Sequence, residues 1–406
     1  MHVLYLHQHF STPEKGSGTR SYEFGRRLVK NGHAVTMITG NSCLDLPLGS
    51  EPYRVMDIEG MEVIVLNAPY ASTMVSGQRI RSFVNYARRA QSVGRRLPRP
   101  DVVLATSTPL TVALPGIRLS RRFRIPLVFE VRDLWPEAPI QMCALRNPLA
   151  ISAARMLERK AYRRAARIIA LSPGMIAGVL QQGTPVEKLA FIPNASDLDF
   201  FTPGPPDPDF LRKYGLEGKF PAVYAGNVGP SAGLEILLGA AARTTDNIAW
   251  VIAGEGHDLH ELKRKAAKAD LLEKVHFLGH LSKYEVAALY RCAGCVLVLF
   301  RNLPVLSTNS PNKFFDALAA GRPVITNMTG WVADLLQNNH AGTAVAPDSA
   351  HDLARAVEDL GRRPERAVMM GGNARLLAEE KFDREILFEQ FEEVLTSALN
   401  TSKRSK

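Results

Sequence analysis

Four cysteines in 406 residues are too few, and too scattered, for a disulfide framework. Only Cys292 and Cys295 lie close together, and neither a second pair nor a nearby histidine set completes a zinc site. Free thiols in a reducing compartment follow, with no metal expected. No run of 18 apolar residues exists, which argues against a membrane-spanning helix. The opening Met1–Leu6 has no basic region before it and reads as a first strand rather than a secretion signal, so the cytoplasm is the expected address. Aromatic residues do not alternate with basic ones as on a base-stacking surface, which argues against nucleic acid as the partner. There is no tight repeat and no low-complexity segment.

What is present is ordinary globular composition, 46% hydrophobic and 22% charged, in a chain long enough for two cores. The formal charge is +10, from 50 Lys and Arg against 40 Asp and Glu, and calls for an anionic partner. The excess is clustered. Arg79, Arg81, Arg88, Arg89, Arg95, Arg96 and Arg99 occur without an intervening acid, and Arg155, Arg159, Lys160, Arg163, Arg164 and Arg167 are opposed only by Glu158. In the first cluster Ile80, Phe83, Val84, Ala87 and Leu97 recur at near-helical spacing. This stripe suits either an anionic bilayer surface, supported by Arg118, Arg121, Arg122 and Arg124, or a crossover helix facing its own sheet.

Short apolar strands alternate with longer helices, the pattern of parallel sheets with right-handed crossovers. Strands are expected at 3–7, 33–39, 61–66, 101–106, 126–130 and 168–172, with helices near 20–31, 80–97 and 150–167. The pattern restarts after Ile192-Pro193-Asn194. Residues 201–209 hold four prolines and one glycine and read as an interdomain connection. The expected organisation is a first domain over 1–195, a connection over 196–218, a second domain over 219–384, and a helix over 385–400 that crosses back to the first. The fold class is α/β, with two Rossmann-like domains.

Parallel sheets place ligands at the carboxyl ends of their strands, and the candidate loops all follow strands. Gly16-Ser17-Gly18 before a helix permits close backbone approach to an anion, or is merely a turn; the dinucleotide spacing G-x-G-x-x-G is not met. Gly226, Asn227 and Gly229 open the second domain, and Gly254 and Glu255 follow its next strand, where Glu255 reads mainly as solvent-facing. Asn309-Ser310-Pro311-Asn312-Lys313 turns into a helix whose free N–H groups, with Lys313, suit a diphosphate. Asp316, one turn on, can accept from sugar diol hydroxyls or simply pair with Lys313. In the first domain Arg132 and Asp133 follow a strand. They form an ion pair, or else Asp133 orients an acceptor hydroxyl and Arg132 neutralises phosphate.

These loops, with Asn31-Gly32-His33-Ala34-Val35, Arg132-Asp133-Leu134-Trp135-Pro136, Ile192-Pro193-Asn194-Ala195, Phe277-Leu278-Gly279 and Ala319-Ala320-Gly321-Arg322-Pro323-Val324, resemble family-4 retaining glycosyltransferases of the GT-B fold over nearly the whole chain. The chain looks most like bacterial enzymes of O-antigen and colanic-acid synthesis, including N-acetyl-L-fucosamine transferases. The resemblance implies two domains facing across a cleft and a nucleotide-sugar donor, UDP favoured, held mainly by the second. It further implies retention of anomeric configuration and no cofactor or metal; taken with the basic clusters, it points to a polyprenyl diphosphate-linked saccharide acceptor and to work at the inner face of the cytoplasmic membrane. It also exposes departures. The family's paired glutamates fall on Thr308 and Asp316, so the first carboxylate is missing. Its phosphate-neutralising arginine and lysine fall on Asn227 and Ala232, and its acceptor-side histidine on Arg132. A distinct glycosyltransferase subgroup, a nucleotide-sugar isomerase or hydrolase, and a noncatalytic homologue are all compatible with these losses.

Overall fold

A computed structural model describes residues 1–14, 18–71, 74 and 76–404. It divides into two compact units, residues 1–193 with 387–406, and residues 194–386.

The first unit is built on an eight-stranded sheet. Its strands are β1 (His2–Leu6), β2 (Ala34–Gly40), β3 (Tyr53–Ile58), β4 (Met61–Leu66), β5 (Val102–Thr106), β6 (Leu127–Val131), β7 (Arg167–Ala170) and β8 (Leu189–Phe191), in the order β3-β4-β2-β1-β5-β6-β7-β8. All pairings are parallel except β3 with β4, which are joined through Glu59-Gly60 as a hairpin. The central strands read as near-continuous apolar runs because helices cover both faces; Val102 to Ala105 are completely buried. β3 was not expected. Its residues alternate between exposed and half-buried at the sheet edge, so it carries no hydrophobic run to announce it.

The helix Ser76–Gly94 spends its apolar stripe on this sheet. Phe83, Tyr86, Ala87 and Ala90 are buried, and the Tyr86 hydroxyl donates to the Ile38 carbonyl at 2.7 Å. Ile80 is 49% exposed and Val84 and Leu97 are half-buried, but the large residues of the stripe are covered, so the crossover reading of this helix holds and a bilayer cannot use those residues.

The C-terminal helix Arg384–Arg404 adds Leu387, Phe388, Phe391 and Leu395 to the buried residues. Phe391 meets Phe24 with ring centroids 4.7 Å apart, and Glu392 binds His33 at 2.6 Å.

The second unit is a six-stranded, wholly parallel sheet. Its strands are β9 (Phe220–Ala225), β10 (Ile248–Ala253), β11 (Val275–Gly279), β12 (Cys295–Val298), β13 (Val324–Thr326) and β14 (Gly342–Ala344), ordered β11-β10-β9-β12-β13-β14. Chain order reverses at β9, which has β10 on one side and β12 on the other, the position where such sheets open a crevice. Cys295 is buried in β12, and both it and Cys292 are free thiols; among the described residues no cluster suits a metal ion.

The stretch 196–218, expected as a connection, is instead part of this unit. Phe201, Phe210 and Leu216 lie in its core, and a helix forms over Pro208–Lys213 behind the side-chain cap of Asp207. Arg375 donates to the carbonyls of Leu198 and Phe201, and Arg322 to that of Gly204, satisfying backbone that prolines leave without ladder partners. Composition marked this segment as irregular but could not show where its three apolar anchors go.

A buried ion pair closes the first unit. Arg20, opening the helix Arg20–Lys30, donates from Nε to Glu130 at 2.9 Å, and the other carboxylate oxygen accepts from Thr106 at 2.9 Å. The remaining guanidinium nitrogens donate to the carbonyls of Ile192 and Pro193, and Phe24 lies beneath the guanidinium at 4.5 Å. Every polar atom of the pair is thus occupied, the condition under which buried charges are tolerated. Glu130→Leu strands Arg20 and should cost about 3–5 kcal/mol in urea unfolding of the full chain, with Arg20→Met added to it restoring part of the loss. A cost below about 1 kcal/mol would show that the pair is not what closes this unit.

Candidate functional site

In the second unit the carboxyl ends of β9, β10 and β11 are joined loop to loop through their backbones. Gly226 N–H donates to Ala253, Gly254 N–H to Gly279, and Val228 N–H to Glu255, at 2.7–2.9 Å. The approach is so close that a side chain on Gly254 would collide with the Gly226 carbonyl. Both glycines also have positive φ, 151° and 136°, which L side chains rarely adopt. Gly226 leaves room for something else as well: a Cβ there would stand 2.8 Å from the Lys313 ammonium.

Lys313 comes from the helix Asn312–Ala319. Pro311 is the cap residue rather than the first helical one, and no side chain caps the helix start; there is no acid in the first turn. The Lys313 ammonium rests 3.7 Å from the centre of the Tyr224 ring and 5.8 Å from that of Phe300. Among the described residues no carboxylate pairs with it. Burial without a counter-charge pushes its pKa down to about 7. Tyr224, which was not singled out from the sequence, is itself fixed by donating to the Asn227 carbonyl at 2.8 Å.

The other expected residues divide between lining and scaffolding. Asn227 packs against Gly229, with its amide nitrogen 2.7 Å from where a Cβ on that glycine would be. Glu255 is exposed and contributes its backbone carbonyl to the loop contacts. The Asn309 carbonyl accepts from the Trp331 indole at 3.0 Å. Ser310 is buried and faces Asn194, whose backbone N–H and side-chain amide donate to its hydroxyl and carbonyl. Asn312 begins the helix beside Lys313. The Thr308 hydroxyl, where the family pattern has a carboxylate, donates to the Val305 carbonyl at 2.7 Å.

Asp316 does not pair with Lys313. It lies within the electrostatic reach of a separate cluster in which Asp197 accepts from Lys283 at 2.6 Å and Arg384 at 2.9 Å. Burial raises the Asp316 pKa to about 7; Lys283 and Arg384 oppose the rise and Asp197 adds to it. Burial likewise works against ionisation of Asp197, but Arg384 and Lys283 together hold its pKa below the usual range. No sequence signal joins residues 197, 283, 316 and 384. Only the tertiary fold does.

In the first unit the loops after β1 and β6 meet. His7 shares a hydrogen bond with Ser21 through Nδ1 at 2.7 Å, and its Nε2 stands 3.5 Å from Arg132. Burial first, and the Arg132 charge second, lower the His7 pKa well below its ordinary value and that of His9 to about 4, so both are neutral near pH 7. Asp133 has its pKa raised to about 6 by burial, with Arg132 opposing. Among the described residues Arg132 and Asp133 make no ion pair; Glu130, on the strand that precedes them, holds the charge contact with Arg20 instead. His7 and His9 were missed because isolated histidines at a strand end carry no spacing signature. Gly18 is described and has open space around it; Gly16 and Ser17 lie outside the described residues.

Comparison with known proteins agrees with this architecture. Residues 15–195 match the glycosyl transferase 4-like domain and residues 207–377 the glycosyl transferases group 1. A GDP-mannose-dependent alpha-(1-6)-phosphatidylinositol monomannoside mannosyltransferase of Mycobacterium tuberculosis is 30% identical over 197 residues, 47% of this chain and 51% of that one, so the match spans about half of that relative's length. A protein described as a colanic acid biosynthesis glycosyl transferase, WcaI, of Escherichia coli K12 is 25% identical over 310 residues, 74% of each chain. The crystal structure of Anabaena HepE in complex with UDP and glucose superposes with a TM-score of 0.72 at 20% identity, covering 98% of this chain and 100% of that one. The two domain matches in tandem, on two parallel-sheet units, place the chain in the group 1, family 4-like glycosyltransferases with the GT-B fold.

Proposed function

We propose that the protein is a retaining glycosyltransferase. It moves a sugar, an N-acetylated deoxyhexose by resemblance, from a UDP-linked donor to a polyprenyl diphosphate-linked saccharide in surface polysaccharide synthesis. The observation that carries the donor half is Lys313: a half-buried ammonium without a carboxylate partner, beside an uncapped helix start and a shelf of glycine backbone. A diphosphate supplies the missing negative charge, and the helix N–H groups supply donors for its oxygens. Asp316, one turn further on, is suited to accept from ribose or pyranose hydroxyls. UDP is favoured because the HepE structure holds UDP; the mannosyltransferase relative uses GDP-mannose, so both nucleotides belong in the assay.

In this reading the nucleoside diphosphate leaves as the acceptor hydroxyl approaches the same face of the sugar, and the departing phosphate takes the hydroxyl proton. Lys313 and the helix amides gain most where charge grows on the leaving oxygen, so they lower the barrier rather than merely tighten binding. Arg132 and Asp133 are assigned to the acceptor, Arg132 toward its phosphate and Asp133 toward the attacking hydroxyl. No bound metal is required by this scheme.

Membrane contact is assigned to the helix Pro148–Arg164 rather than to Ser76–Gly94. Leu149 is 81% and Met156 67% exposed, one side of the helix apart by two turns, with Arg155, Arg159, Lys160, Arg163 and Arg164 exposed around and beyond them. The only acid, Glu158, is turned inward and buried, which raises its pKa to about 7. Arg155 stands 3.9 Å from the part-exposed Glu137 carboxylate; the apolar pair with Arg159, Lys160, Arg163 and Arg164 around and beyond it suits the anionic inner leaflet, each cation near the surface adding about 1 kcal/mol. Among the described residues no helix is long and apolar enough to cross a membrane.

The deciding experiment incubates the full chain with UDP-, GDP- and TDP-sugars and a bacterial lipid extract, and weighs the lipid-linked saccharides. A mass gain of one sugar, unchanged by a chelator, is expected; sugar release without extract would favour a hydrolase instead. Lys313→Ala should lower turnover about 100- to 1000-fold at saturating donor. Because diphosphate favours the charged lysine, binding should take up a proton above pH 7 and weaken as pH rises, while below pH 7 the lysine is already charged and the uptake vanishes. Near-normal turnover of the variant would remove Lys313 from the reaction.

For the membrane face, the chain should co-sediment with phosphatidylglycerol vesicles at low salt and be released at high salt. Leu149→Glu with Met156→Glu should abolish sedimentation while Ile80→Glu leaves it intact. Equal sedimentation of the double variant, or none by the natural chain, defeats the assignment.

A further inference from the structure

Lys313 supplies one positive charge, whereas a nucleoside diphosphate brings two adjacent phosphates carrying at least two negative ones. The cations of the second unit near this edge are mostly committed elsewhere. Lys283 and Arg384 hold Asp197, and Arg322 donates to the carbonyls of Ala293, Gly204 and Arg291. Arg301 differs. It follows β12, is exposed, and makes no ion pair with a carboxylate among the described residues.

Its backbone is nevertheless held on two sides. The preceding residue, Phe300, donates its N–H to the Asn327 side-chain oxygen at 2.9 Å and accepts from the Asn327 amide at 2.7 Å, fastening it to the loop after β13. Arg301 N–H donates to the Ser231 carbonyl at 2.9 Å, fastening it to the loop after β9. Gly233 makes that approach possible, since a Cβ there would lie 3.2 Å from the Arg301 Cα. The dipeptide therefore sits at the switch between β9 and β12, with the Phe300 ring 5.8 Å from the Lys313 ammonium. A main chain fixed by these three hydrogen bonds, carrying a guanidinium with no charged partner among the described residues, has already met part of the ordering cost of gripping an anion.

We propose that Arg301 is the second cation of the donor site, closing on the diphosphate that Lys313 holds from the other side. This rests on the donor reading given above. The two cations differ in what they offer: the ammonium is a point charge, whereas the guanidinium fork can bind two phosphate oxygens at once. The diphosphate, rather than the base or the sugar, is the recognised group.

Calorimetry on the full chain with UDP, UMP and inorganic pyrophosphate tests it. Arg301→Gln should weaken UDP and pyrophosphate at least about tenfold, a change of about 1.4 kcal/mol, and UMP much less. Arg301→Lys should recover only part of the loss. Arg362→Gln, on the exposed end of the helix Ala350–Arg362, controls for net charge and should change nothing. If Arg301→Gln binds UDP normally while Lys313→Ala does not, the Arg301 assignment fails and the donor reading survives. Equal weakening of UMP and UDP also overturns the role at the diphosphate. If the natural chain binds neither UDP nor pyrophosphate, both proposals fall together.

Discussion

Taking an ammonium group out of water without a carboxylate beside it is costly, and the second unit is arranged around that cost. Lys313 meets an aromatic face, a glycine where any side chain would press on it, and a helix start with no acid in its first turn. A carboxylate would be cheaper for the folded chain, yet the nearest acidic group on the same helix, Asp316, is held in the field of Lys283, Asp197 and Arg384. Two opposite charges one helical turn apart are thus kept in separate electrostatic environments. The arrangement leaves the lysine available to an anion from solution, and it accounts for the glycine at 226, where a Cβ would press on the ammonium.

The first unit handles charge in the opposite way. Arg20 and Glu130 are as buried as core residues, and between them they use Thr106 and the carbonyls of residues 192 and 193 until nothing remains unpaired. That pair is saturated and structural. Arg132, Asp133 and His7, in the loops after β6 and β1, are not so paired, and burial there raises the Asp133 pKa and lowers that of His7. One unit therefore holds a finished ionic core and an unfinished polar edge side by side.

Much of this could be read from residue order. Parallel strands buried on both faces are written as uninterrupted runs such as Val102-Val103-Leu104-Ala105, and the loop Asn309 to Lys313 is marked by its abrupt change from polar residues to an apolar helix. What could not be read depends on pairings across long stretches of chain. The destination of the Phe201, Phe210 and Leu216 side chains, the edge strand Tyr53–Ile58, and the meeting of Asp316 with Lys283 and Arg384 are tertiary facts without local periodicity. The helix Ser76–Gly94 shows the converse difficulty: an amphipathic stripe declares that it will be covered, but not by what. Its arginines suit a bilayer, but Tyr86 is claimed by the sheet and Phe83 by Tyr70 and Trp135 in the loops beside it.

The loops after β9, β10 and β11 are stitched main chain to main chain, with no side chain intervening. Such a seam fixes loop length as firmly as it fixes conformation, because one inserted residue would shift every donor away from its acceptor. Diversification of a chain built this way must then enter through the connections at the opposite ends of those strands, or through exposed side chains around the seam. The seam itself reads peptide groups, which every residue has, and it forbids a side chain only where the main chains come closest, at Gly254 against the Gly226 carbonyl.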